Sequence, residues 1–109
     1  MKINVLGTEY DLLICSKEDD ARLNDMDGYC DPSVKKCVVN NCESEKSDLF
    51  SKQNLEQYKS QVTRHELVHA FIYESGLSAC SWGENEEMVD WIAIQFPKIL
   101  KAFEAAKVI

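Results

Sequence analysis

Histidine is nearly absent from this chain: His65 and His69 are the only two among 109 residues. A site built on three imidazoles is therefore excluded. Proline and glycine are scarce, at two and four residues, and no repeat or low-complexity segment interrupts the sequence. No apolar run approaches the roughly 20 residues that span a bilayer, so no membrane partner is expected. The start of the chain lacks a basic-then-apolar leader pattern, because Asn4, Gly7, Glu9 and Asp11 break it, and a cytoplasmic location is expected. Basic residues are outnumbered, 12 to 19, and the net charge of −7 would repel phosphates, which argues against nucleic acid. The acidic excess is read as a solvated surface, the run Glu18-Asp19-Asp20 included. The five cysteines are odd in number, and Cys30, Cys37 and Cys42 follow a C-x6-C-x4-C spacing without the C-x2-C knuckle of structural zinc. A complete disulfide framework is not expected, and small buried thiols are.

What remains is an ordinary globular composition, 45% hydrophobic and 28% charged, in a length that suits one domain over residues 1–109. Residues 2–6 (KINVL) and 10–15 (YDLLIC) read as a hairpin around Gly7-Thr8-Glu9. Residues 16–27 fit a loop or a short helix equally. A second hairpin is expected from strands near 28–31 and 36–41, turning at Pro32. A polar connection over 43–51 then leads to a helix. From about Gln53 to Ser75, Leu55, Tyr58, Val62, His65, His69 and Ile72 recur at three- and four-residue steps, with Leu67, Val68 and Phe71 widening the buried stripe. Gly76 suits the position that ends this helix. After a loop between Gly76 and Gly83, residues 84–95 are helical. Pro97 should break or kink that helix, leaving a last amphipathic helix over 98–107. Trp91 is expected in the core; Trp82 suits the core or a cleft. The fold class is α+β: a small, mostly antiparallel sheet packed on the 53–75 helix, with the later helices behind.

The chemistry concentrates in Thr63-Arg64-His65-Glu66-Leu67-Val68-His69-Ala70. Positions i and i+4 of a helix share a face, so both imidazoles can hold one Zn²⁺, and Glu66 can reach a water on that metal. Catalytic zinc takes three protein ligands and keeps one position open. The third must be Asp, Glu or Cys. Asn85-Glu86-Glu87-Met88-Val89-Asp90 offers candidates on a second helix: Glu86, with Glu87 as its rival one residue round. Asp90, one turn beyond Glu86, could bond the outer nitrogen of a ligand histidine and fix its tautomer.

HELVH followed by NEEMVD resembles the gluzincins, the thermolysin-like clan, whose zinc helix carries HExxH and whose later glutamate helix reads N-E-x-x-S-D. Asn85, Glu86 and Asp90 match that second motif in place, and Val89 stands where serine is usual. The resemblance implies Glu86 as third ligand, Asp90 as partner of His65 and Asn85 as a supporting residue behind the ligands. Over roughly residues 27–100 the layout is similar to the minigluzincins and to ImmA/IrrE-type metallopeptidases of phages and mobile elements. In those a D-G-x-x-D hairpin and a strand such as KKCVVN precede the zinc helix. The implied activity is a zinc metalloendopeptidase acting on a cytoplasmic protein or peptide, and the same resemblance suggests a phage or mobile-element regulatory protease that cleaves a repressor.

In that activity zinc acidifies its water and polarises the scissile carbonyl, Glu66 is the general base, and the strand at Cys37–Asn40 pairs with an extended peptide. Large gluzincins add a histidine, and often a tyrosine, for the oxyanion. This chain has no third histidine; Tyr29, Tyr73 or an arginine are the substitutes available. The same feature allows an alternative, a zinc-stabilised protein-binding module with little or no peptidase activity.

Overall fold

The computed structural model describes residues 1–42, 54–79 and 82–109. The connection expected over 43–51 lies outside them, as does Cys80. Four strands form one sheet: β1 (Lys2–Val5), β2 (Thr8–Cys15), β3 (Gly28–Asp31) and β4 (Lys36–Asn40), in the order β1-β2-β4-β3. The pairings β1–β2 and β3–β4 are antiparallel, while β2 and β4 run parallel, with Asp11 opposite Lys36 and Cys15 opposite Asn40. Both expected hairpins are present. The first turns one step earlier than its residues suggest: Leu6 and Gly7 form the loop with φ of 51° and 92°, and Thr8 and Glu9 already belong to β2. Two successive left-handed residues match the right-handed twist of the flanking strands. The ambiguous 16–27 stretch holds a short 3-10 turn, Ala21–Asn24, capped by Asp20.

One face of the sheet packs on α1 (Leu55–Glu74). Asn54 starts this helix by accepting the Gln57 N–H at 3.0 Å; Gly76, with φ of 84°, lies just past its end. The core joins Val5, Tyr10, Leu12, Cys37 and Val39 from the sheet to Ala70 from α1, with Ile3, Cys30, Val62 and Leu67 packed against it. Each such aliphatic side chain, fully buried, contributes about 1.5–3 kcal/mol. Phe71, expected in the stripe, is exposed instead, because Ala70 and Glu66 turn toward the sheet.

The second helix corrects the sequence reading. Pro97 neither ends it nor separates a C-terminal helix: α2 runs unbroken from Glu86 to Ala105. Proline removes the N–H that would have bonded the carbonyl four residues back, here Ala93. The Arg64 guanidinium of α1 takes that carbonyl, Nε to O, at 2.6 Å. A side chain from the neighbouring helix thus replaces the missing backbone donor. α2 packs on α1 through Val89 and Ala93, both fully buried, which leaves Trp91 on the outer face and 54% exposed rather than in the core. No described helix is long and apolar enough to cross a membrane.

Candidate metal centre

The helical repeat of α1 sets His65 and His69 one turn apart with ring centroids 4.8 Å from each other. Their Nε2 atoms stand 3.2 Å apart. The start of α2 closes on them. Asn85 caps that helix by accepting the Met88 N–H at 3.1 Å, which fixes Glu86 as its first residue. The Glu86 carboxylate spans both rings: Oε2 is 3.0 Å from His65 Nε2 and Oε1 is 3.0 Å from His69 Nε2. One turn further, Asp90 Oδ1 lies 2.7 Å from His65 Nδ1. A carboxylate only accepts, so Nδ1 carries the hydrogen, and in the neutral ring Nε2 keeps its lone pair toward His69 and Glu86.

Glu66 sits beside this cluster, only 7% exposed. Ligand atoms of His65, Glu66 and His69 all lie within 4.8 Å of one another, so this group could hold a metal ion. Burial pushes the Glu66 carboxyl up to about 7; His65 opposes the rise, and Glu86 and Asp90 add to it. A cation on the imidazoles would bring it back down. Gly28 makes room for the Glu66 side chain. A Cβ there would stand 2.9 Å from Val62 Cγ1, 3.0 Å from the Val38 carbonyl oxygen and 3.2 Å from Glu66 Cγ. Only glycine lets β3 pass so close to α1.

An open cavity of about 410 Å³ lies over His65, Glu66, His69 and Glu86, with Tyr29, Cys30 and Tyr73 among its other lining residues. A larger groove of about 520 Å³ is lined by Leu67, Phe71, Trp82, Ile92 and Phe96, with Arg64, already bonded to Ala93, as its charged member. The group that could hold a metal ion lines the smaller cavity.

The residues singled out by spacing therefore come together: His65, Glu66, His69, Glu86 and Asp90 share one cluster. Asn85 spends its side chain on the helix cap and serves the cluster by setting where α2 begins. Glu87, the rival ligand, lines a different cavity with Met88 and Trp91. The substitutes considered for the oxyanion are committed elsewhere in part. The Tyr29 hydroxyl donates to Asp20 at 2.5 Å, and Tyr73 lies beneath the Lys35 ammonium, 4.8 Å from the ring centroid. The expected peptide-binding strand is also corrected. β4 is interior, with both edges taken by β2 and β3, so it cannot accept another chain. The strand that borders the cavity is β3, at the sheet edge. Sequence reasoning missed one element of the site, the placement of Cys30 on the cavity wall and Cys37 behind it; the register that pairs them is set by a four-residue loop, 32–35, ending on left-handed Lys35, which a tight turn at Pro32 does not specify.

Comparison with protein-family models, with curated proteins and with solved structures gave no match.

Proposed function

We propose that this chain is a zinc-dependent metalloendopeptidase acting on a protein or peptide, with His65, His69 and Glu86 holding the metal and Glu66 as general base. One observation carries the reading: the two imidazole Nε2 atoms stand 3.2 Å apart, the Glu86 carboxylate of the second helix faces each of them with a different oxygen at 3.0 Å, and Asp90 lies on the outer nitrogen of His65. Donors at the corners of a tetrahedron with metal bonds of about 2.0–2.1 Å stand about 3.3 Å apart, so the 3.2 Å between the two nitrogens suits one zinc ion, with the Glu86 carboxylate beside both. Two nitrogens and a carboxylate are the ligand chemistry zinc uses in hydrolases. A lone pair on His65 Nε2 facing a carboxylate is repulsive unless a proton or a metal cation lies between them.

Zinc, when bound, acidifies the attacking water and polarises the scissile carbonyl. The chain's own residues do the rest. Glu66 takes the proton from that water and delivers it to the leaving amine. Asp90 holds the Nδ1–H of His65 and so keeps Nε2 available as a ligand. β3 offers its outer edge, where no strand pairs among the described residues, to an extended peptide laid along the cavity.

Replacement of Glu66 by glutamine tests this. The variant should keep zinc and lose cleavage of a peptide library by about 10²–10⁴-fold. A variant that cleaves as well as the parent ends the peptidase reading. A second reading, a zinc-stabilised protein-binding module, is favoured by the commitment of Tyr29 to Asp20 and of Arg64 to Ala93, which leaves few donors for an oxyanion. Zinc retention with no cleavage by the parent protein is its signature.

A further inference from the structure

Behind the metal centre two thiols face each other. Cys30 of β3 is the register partner of Cys37 of β4. Facing pairs in an antiparallel ladder alternate between those that exchange backbone hydrogen bonds and those that do not. The Asn40 N–H bonds the Asp27 carbonyl at 2.8 Å, so residues 27 and 40 are a bonded pair. Counting along the hairpin, Tyr29/Val38 and Asp31/Lys36 are bonded pairs too. Cys30/Cys37 falls between them and is a non-bonded pair. Such pairs have Cα atoms about 4.5 Å apart and the closer side chains, inside the span of about 4.4–6.8 Å that a disulfide bridges.

The surroundings give the pair access and a consequence. Cys30 is half-buried and lines the cavity over His65, Glu66 and His69. Cys37 is fully buried, and its Sγ donates to the Glu66 carbonyl oxygen at 3.5 Å. The other described cysteines are placed differently: Cys15 lies in β2, and buried Cys42 donates to the Asn40 carbonyl.

We propose that Cys30 and Cys37 are a dithiol oxidation site that closes to a disulfide when a peroxide enters the metal cavity. This goes beyond the proposed peptidase function and does not depend on it. Cys30 sulfur attacks the peroxide O–O bond, giving a sulfenic acid and one water. Cys37 sulfur then attacks the sulfenic sulfur; its proton leaves with the hydroxyl as a second water. Two thiols and one hydrogen peroxide become one disulfide and two waters. Cys37 then has no S–H to give the Glu66 carbonyl, so oxidation reaches the helix turn that carries the metal-binding group.

The test uses the full chain, reduced and then treated with hydrogen peroxide, with remaining thiols alkylated and sites mapped by mass spectrometry. Cys30 and Cys37 should lose alkylation together, a peptide pair joined through them should appear, and a thiol reductant should restore both. Cys15, Cys42 and Cys80 should stay alkylated. In Cys30→Ser, Cys37 should remain a free thiol under the same treatment; this keeps the test informative if Cys37→Ser does not fold. The proposal is overturned if Cys30 and Cys37 both stay alkylated, if either pairs mainly with another cysteine, or if Cys30 goes to an irreversible acid without a disulfide.

Discussion

Glu66 and Glu74 are two turns apart on the same helix and have opposite surroundings. Glu74 closes a network at the far end of the sheet: Lys35 Nζ and the Tyr10 hydroxyl both donate to its Oε2, each at 2.8 Å. Those donors, Lys35 first, pull its carboxyl down to about 2. Glu66 is buried beside other acceptors, and burial drives its carboxyl up to about 7. One carboxylate is neutralised inside the protein; the other is set where its charge is costly, among groups that call for a cation. The contrast teaches that α1 carries a structural half tied into the sheet and a half that holds the candidate metal group, and that a carboxylate buried against its own solvation marks the second.

Replacing each member of the two halves should therefore act on different observables. The largest effect belongs to Glu66→Gln, which should lower peptide cleavage by about 10²–10⁴-fold while zinc content and melting temperature stay near the parent's. Loss of zinc in that variant would move Glu66 from the base to the ligands. Next comes Asp90→Ala. Without its partner on Nδ1, His65 loses its fixed tautomer, and zinc affinity should fall by about 10–100-fold in a competition titration. An unchanged affinity would make Asp90 a solvated acid.

Two further substitutions act on stability. Arg64→Leu removes the donor to the Ala93 carbonyl, which Pro97 leaves without its backbone partner, and should cost about 1–3 kcal/mol in chemical denaturation. Pro97→Ala restores that backbone N–H, so in its background the Arg64→Leu cost should shrink. Equal costs in both backgrounds would show that the guanidinium does not replace the missing bond. Glu74→Gln should have the smallest effect and a definite pH window. The folded-state pKa of about 2 lies below the ordinary value of 4.5, so the carboxylate's contribution is present above about 4.5 and fades as pH falls through about 2. The melting-temperature gap between parent and variant should be constant above that window and close across it. A gap that persists at the acid end would place the stabilisation elsewhere than in the charge.

The sequence was most legible where the chemistry follows the period of a single element. His65 and His69 need only a helix to share a face, and Glu86 and Asp90 need only the start of another. Both hairpins followed from turn residues and alternation. The parts that were not legible depend on distant partners. The parallel pairing of β2 with β4 buries β4 inside the sheet, and no residue of KKCVV announces it. Pro97 carries a local signal for a helix break, which Arg64, 33 positions earlier, cancels. Trp91 looked like core by its type, but the packing face of α2 was already filled by Val89 and Ala93. Glu74 gave no signal at all, since Lys35 and Tyr10 meet it only through the fold.

The central claim, a zinc ion held by two histidines and one carboxylate, is tested most directly by X-ray absorption at the zinc edge on purified protein whose metal content has been measured. The account predicts one zinc per chain with two imidazole nitrogens and oxygen donors in its first shell, and loss of an oxygen donor in Glu86→Ala. Protein that holds no zinc, or a first shell containing sulfur, would contradict it.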